Sequence, residues 1–115
     1  MDTQSVVTMV GFGCLFALFW YLKRPDLRAE TARKLVEQGA GLIDVRSRGE
    51  FRDGHIDRAR NIPIGELVRR SAELGDHARP IIVYCASGTR SAAAKRVLKR
   101  AGFTRVYNLG AMTNW

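Results

Sequence analysis

The sequence predicts a parallel α/β domain preceded by one N-terminal transmembrane helix. Three observations carry that expectation. Short apolar strands alternate with helical segments from Leu27 onward, the pattern of a parallel sheet flanked by helices. An uncharged, mostly apolar tract runs from Thr3 to Leu22. A cysteine, Cys85, stands between the β-branched run Ile81-Ile82-Val83-Tyr84 and a helix-forming segment, at the carboxyl end of a strand where parallel sheets bind their ligands.

The tract has the length of about 17–25 residues that a membrane span requires. Trp20 and Tyr21 suit the interfacial belt, and Lys23-Arg24 follow. A cleaved signal peptide is the competing reading. It is disfavoured because Met1-Asp2-Thr3-Gln4-Ser5 has no basic residue and no A-x-A-like site precedes the domain. The division expected is therefore an anchor with its basic flank over residues 1–24 and a domain over 25–115, with residues 5–22 against lipid. Asp2 lies before the tract, and Lys23, Arg24 and Arg28 lie after it, so positive charge predicts a single-pass protein whose domain is cytoplasmic.

Within the domain, Asp26 is expected to cap a helix over Leu27–Gln38, in which Ala32, Leu35 and Val36 share a face and which Gly39 ends. Leu42–Val45 reads as a buried strand, followed by a turn into a brief helix that closes near Gly54. Asn61–Ile64 is extended, since a residue before proline is pushed out of the α region. Glu66–Leu74 reads as a helix and residues 75–80 as a loop. Ile81–Tyr84 is the central strand, Ser91–Ala101 a helix and Val106–Leu109 the last strand.

The whole chain of 115 residues carries 19 basic and 11 acidic residues. Its positive charge is dispersed in pairs such as Arg33-Lys34, Arg69-Arg70 and Lys99-Arg100, and no nucleic-acid motif accompanies it, so nucleic acid is not an expected partner. A basic field favours small anionic substrates instead. The chain has only two cysteines, and Cys14 lies in the apolar tract. Cys85 thus has no thiol partner within its domain, which excludes a C-x-x-C redox pair and a thiolate-rich zinc site. No metal or cofactor is expected.

Cys85-Ala86-Ser87-Gly88-Thr89-Arg90 places the thiol on a strand-to-helix turn. Amide N–H groups and the helix dipole converge there, which favours a thiolate and an anion beside it. Gly88 permits the loop to curl, while Ala86, Ser87 and Thr89 leave room for a substrate. A buried, inert thiol is the plain alternative. Its position between strand end and helix start argues against that.

The ordered set of local motifs resembles a single-domain rhodanese, a rhodanese-like sulfurtransferase. The stretches are Leu42-Ile43-Asp44-Val45-Arg46 with Glu50-Phe51, Gly54-His55-Ile56, Asn61-Ile62-Pro63, Ile82 through Ser91, Ala101-Gly102-Phe103 and Val106 through Gly110. The resemblance implies a rhodanese-like fold and an enzyme that carries sulfane sulfur as a persulfide on Cys85. The donor would be thiosulfate or another small sulfur-containing anion, and the acceptor cyanide, a small thiol or a protein. The amides of Ala86 to Arg90 would hold the persulfide anion. Arg90 is expected to stabilise charge, or to brace the loop against an acid such as Asp44. Asp44, Arg46 and Glu50 are expected to form a supporting ion-pair group, and His55 to order its turn.

This sequence departs from the family pattern at several points. The usual Pro-Gly after Gly-His-Ile is Asp57-Arg58, and the common Gly-Gly near the C-terminus is Gly110-Ala111. Relatives usually add a further helix after the position of Trp115, and its loss is expected either to expose core or to leave the last turn to be completed by the membrane or a partner. The loop positions Ala86, Ser87 and Thr89 are neutral where thiosulfate-specialised relatives place a basic side chain, which weakens the link to thiosulfate. Cysteine phosphatases and arsenate reductases of related fold need C-x5-R, whereas Cys85 to Arg90 is C-x4-R, one residue too short for a phosphate-sized oxyanion. The remaining alternative is a non-catalytic or sensory module in thiol signalling or partner binding.

Overall fold

The computed structural model describes residues 2–115, apart from the side chains of Leu22 and Lys23. Met1 and the Leu22 and Lys23 side chains, all placed in the expected anchor and flank, therefore lie outside what is described. Helix α1 (Thr3–Lys23) opens the chain, its N-cap Asp2 accepting a hydrogen bond from the Ser5 amide at 2.7 Å. Its apolar side chains, Val10, Phe12, Phe16 and Trp20 among them, are exposed. It is long and apolar enough to cross a membrane by length and composition.

The remainder is built on a four-stranded parallel sheet of order β2-β1-β3-β4: β1 (Gly41–Asp44), β2 (Arg60–Asn61), β3 (Ile81–Cys85) and β4 (Val106–Ala111). β3 lies between β1 and β4, and all five of its residues are buried. A strand covered on both faces needs a continuous apolar run, and Ile81-Ile82-Val83-Tyr84-Cys85 is one.

Alternation along β3 sorts its side chains between two cores. Ile81, Val83 and Cys85 join Leu67, Leu74, Ala94, Leu98 and Phe103 on the face covered by α4 (Thr89–Arg100). Ile82 and Tyr84 join Ala32, Leu42, Ile56 and Leu109 on the face covered by α2 (Ala29–Glu37). Met112 and Trp115 pack against this second core, so the chain's last residues cover apolar surface there. A short helix, α3 (Arg48–Arg52), follows β1.

Several elements differ from the sequence reading. Asp26 does not cap α2, whose N-cap is Arg28 without a side-chain bond. Asp26 turns instead to edge strand β4, accepting from the Asn108 amide at 2.7 Å and from Lys95 Nζ at 2.6 Å, while its own amide donates to Asn108 O at 2.8 Å. An unpaired strand edge offers stronger partners than a helix start. The helix expected over Glu66–Leu74 divides into two 3₁₀ turns, Ile64–Glu66 and Ser71–Leu74. Only Leu67 and Leu74 of that stretch are buried, too few anchors for a regular helix to be packed on one stripe. The extended stretch at Asn61 ends early, since Ile64 already begins the first 3₁₀ turn. α4 begins at Thr89, before Ser91, and β4 runs on to Ala111 through a bulge that aligns Tyr84 with Gly110.

Candidate active site

Cys85 is the last residue of β3, and alternation turns its side chain toward α4. Gly88, the N-cap of α4, has φ +95°, a left-handed conformation that glycine adopts without strain. The turn it makes curls the backbone around the sulfur. Cys85 Sγ accepts from the Gly88 amide at 2.9 Å and from the Ser91 amide at 3.4 Å. Ser91 Oγ lies 3.3 Å from the sulfur and 3.2 Å from Gly88 O, and its single proton turns to the sulfur once that becomes a thiolate, the stronger acceptor.

These contacts decide the state of the thiol. Burial alone pushes its pKa up, but the hydrogen bonds of Ser91, through hydroxyl and amide, and of the Gly88 and Ser87 amides outweigh it. The net shift is downward from the ordinary cysteine value, so the thiol ionises more readily than an unperturbed cysteine. Cys85 is itself fully buried, while Ala86, Ser87 and Thr89 above it are exposed. The loop mouth is thus lined by small, neutral side chains.

Arg90, in the first turn of α4, points its guanidinium away from Asp44 and onto Glu50. The pair is bidentate, Nη1–Oε1 2.6 Å and Nη2–Oε2 2.9 Å. Arg90 drives the Glu50 carboxyl down to about 2, with the Ser47 amide contributing. Glu50 also closes the capping box of α3, with Ser47 Oγ accepting from the Glu50 amide and Glu50 Oε1 from the Ser47 amide, each at 3.2 Å. One carboxylate therefore fastens the start of α3 to the start of α4.

The expected Asp44–Arg46–Glu50 group is divided. Asp44 and Arg46 form a buried pair with Nη2–Oδ2 at 2.8 Å, and Arg46 Nη2 donates to Gly54 O at 2.7 Å. Glu50 leaves that group for Arg90, because α3 presents it across to α4. The expected Arg90–Asp44 brace is corrected for the same reason: the Asp44 carboxylate is already taken by the guanidinium and amide of Arg46. Tyr84 OH accepts from the Ile56 amide at 3.1 Å, which ties the Gly54-His55-Ile56 turn to the central strand. His55 stacks on Phe51, ring centroids 3.6 Å apart, with Nδ1 2.8 Å from Phe51 O.

Sequence reasoning missed Ser91. Its signal was available: a hydroxyl residue in the first turn of a helix points back toward the preceding loop, and a fully buried serine needs partners. The arrangement offers a nucleophilic sulfur, a nest of donors for negative charge around it, and a neutral entrance.

The family model described as Rhodanese-like domain matches residues 28–115. The Bacillus subtilis protein YqhL is 43% identical over 77 residues, covering 66% of this chain and 60% of its own length. The thiosulfate sulfurtransferase GlpE of Pseudomonas fluorescens is 36% identical over 90 residues, covering 75% of this chain and 79% of that protein. The solved structure of the human single-domain sulfurtransferase TSTD1 superposes with a TM-score of 0.71 at 31% identity, over 79% of this chain and 94% of that one. The chain spans 60% of YqhL and 50% of the putative sulfur carrier protein YrkF, also of Bacillus subtilis. With a parallel sheet that ends in a cysteine loop and relatives named as sulfurtransferases, the chain belongs to the rhodanese-like domain family.

Proposed function

We propose that this protein is a membrane-anchored sulfurtransferase that carries sulfane sulfur as a persulfide on Cys85. The observation that carries the reading is the set of donors on Sγ, two amides and a hydroxyl within 3.4 Å, at the start of α4. The thiolate attacks the outer sulfur of the donor. A sulfur–sulfur bond forms to Cys85, the donor's own sulfur–sulfur bond breaks, and its electron pair leaves with the departing group, sulfite when thiosulfate is the donor. The acceptor then attacks the outer sulfur of the persulfide, and Cys85 departs as thiolate. Cyanide becomes thiocyanate, and no outside oxidant or reductant is needed.

Loop amides hold the negative charge through both steps, as oxyanion-hole donors do. Arg90 acts by holding the loop, since Glu50 occupies both ends of its guanidinium fork. The neutral mouth at Ala86, Ser87 and Thr89 makes a persulfide on a thiol a better physiological donor than dianionic thiosulfate, and the full burial of Cys85 favours a slender terminal sulfur.

Membrane attachment through residues 5–22 is supported by the exposed apolar surface of α1, and a cytoplasmic domain by the basic residues that follow it. The test uses the full chain in detergent, with thiosulfate, a polysulfide and a small-thiol persulfide as donors. The expected result is a mass gain of one sulfur atom that is lost on adding cyanide and absent in Cys85→Ser. No gain from any donor overturns the reading in favour of a binding or sensory module.

A further inference from the structure

The end of the sheet opposite Cys85 holds a cavity of about 360 Å³ that the sulfur chemistry does not use. It opens where β1 and β2 begin, between the C-terminus of α2 and the segment leading into β3, and three arginines line it: Arg58, Arg60 and Arg79. Arg60 is neutralised by Glu73. Arg79 donates only to backbone carbonyls, Gly39 O at 3.1 Å and Leu74 O at 3.0 Å, so no carboxylate is paired with it. Arg58 has no hydrogen-bond or ion-pair partner among the described residues.

Arg58 is also the only non-glycine residue with positive φ among the described residues, at 69°. Its side chain is therefore held in a conformation that disfavours any Cβ. Strain of this kind in a native fold points to a role for the residue that bears it. Here the strained residue supplies an unpaired guanidinium to a cavity that already contains another cation without a carboxylate. Glu73 lines this cavity too, but its carboxylate is taken by Arg60 and Arg70, whereas an adjoining cavity of about 250 Å³ touches Arg58 beside Asp57 and Glu37.

We propose that the first cavity is an anion site that takes a phosphate group, from a soluble phosphorylated compound or a phospholipid headgroup. Guanidinium groups match the several acceptor oxygens of a tetrahedral phosphate, and two that line one cavity without a carboxylate partner suit it better than a single carboxylate. The apolar floor made by Val36 and Leu74 leaves room for the body that carries the phosphate.

The full chain, isotope-labelled in phosphatidylcholine nanodiscs, is titrated with inorganic pyrophosphate while amide resonances are followed. A second sample replaces part of the lipid with phosphatidylglycerol. Saturable shifts at Arg58, Glu73 and Arg79 with pyrophosphate identify the soluble source, and the same shifts with anionic lipid identify the headgroup. Arg58→Gly should bind at least tenfold more weakly yet melt at a higher temperature, because glycine relieves the backbone. Arg58→Gln should lose binding to the same degree, and both variants should still load sulfur on Cys85. No shift from either source, or unchanged binding in the two variants, overturns the proposal and leaves the persulfide reading untouched.

Discussion

Ser91 and Glu50 carry the most informative single-residue chemistry, one acting on the sulfur and the other on the loop that holds it. Once Cys85 ionises, Ser91 supplies two of the donors around it. A hydrogen bond to a charged group contributes about 1.5–3 kcal/mol, and one pKa unit corresponds to about 1.36 kcal/mol. Ser91→Ala removes the hydroxyl alone, so the pH midpoint of Cys85 alkylation by iodoacetamide should rise by about one unit. Cys85→Ser identifies the signal. Glu50 follows carboxylate logic. Its folded pKa, about 2, lies below the ordinary value of 4.5, so the stability it confers is present above pH 4.5 and is lost as pH falls through about 2. Glu50→Gln should therefore melt at a lower temperature than the parent at pH 7, and the gap should close as the parent is taken toward pH 2. A constant gap across that window contradicts the ion-pair account.

At the scale of elements, α4 links the active-site loop to the core and to the chain's N-terminal segment. Its buried Ala94 and Leu98 seat it on the β3 face that also holds Cys85. Leu98→Ala leaves a cavity there and should cost about 2–5 kcal/mol, read as a lower denaturation midpoint with the slope unchanged. The other end of this linkage is Asp26, which joins the segment after α1 to Lys95 of α4 and to Asn108 of β4. Asp26→Ala should release that segment and lower the protection of the Asn108 amide in hydrogen exchange, while the amides of β3 remain protected. Equal loss in both strands would mean that Asp26 supports the whole sheet rather than its edge.

For the whole molecule, the decisive property is the contrast between an exposed apolar helix and a basic α/β domain. Setting aside Asp2, Lys23 and Arg24, the domain has 17 basic and 10 acidic residues, a net charge of +7. A charge of that sign steers small anions toward the protein at low ionic strength, an effect that added salt screens. If α1 spans a bilayer, the full chain stays in the membrane pellet after carbonate or high-salt washing and leaves it only with detergent. Release by salt would reduce the attachment to surface electrostatics.

Much of the fold was legible because its signals are local. The run at Ile81–Tyr84 announces a strand buried on both faces, and Cys85 followed by Gly88 announces the turn into a helix. Asp44 with Arg46 was readable as well, since the two lie close in sequence. The Glu50–Arg90 pair was not, because a separation of 40 residues is bridged only when α3 and α4 pack side by side. Asp26 failed as a predicted cap because β4, which takes its hydrogen bonds, is 82 residues away along the chain. The 3₁₀ turns before β3 depended on which apolar residues find the core. By itself, then, the sequence determined the family, the position of the candidate thiol and the apolar helix, all properties of neighbouring residues. Tertiary structure alone decided which charges meet, which serine faces the sulfur and where arginines without carboxylate partners share a cavity, because long-range packing selects among partners that look equivalent along the chain.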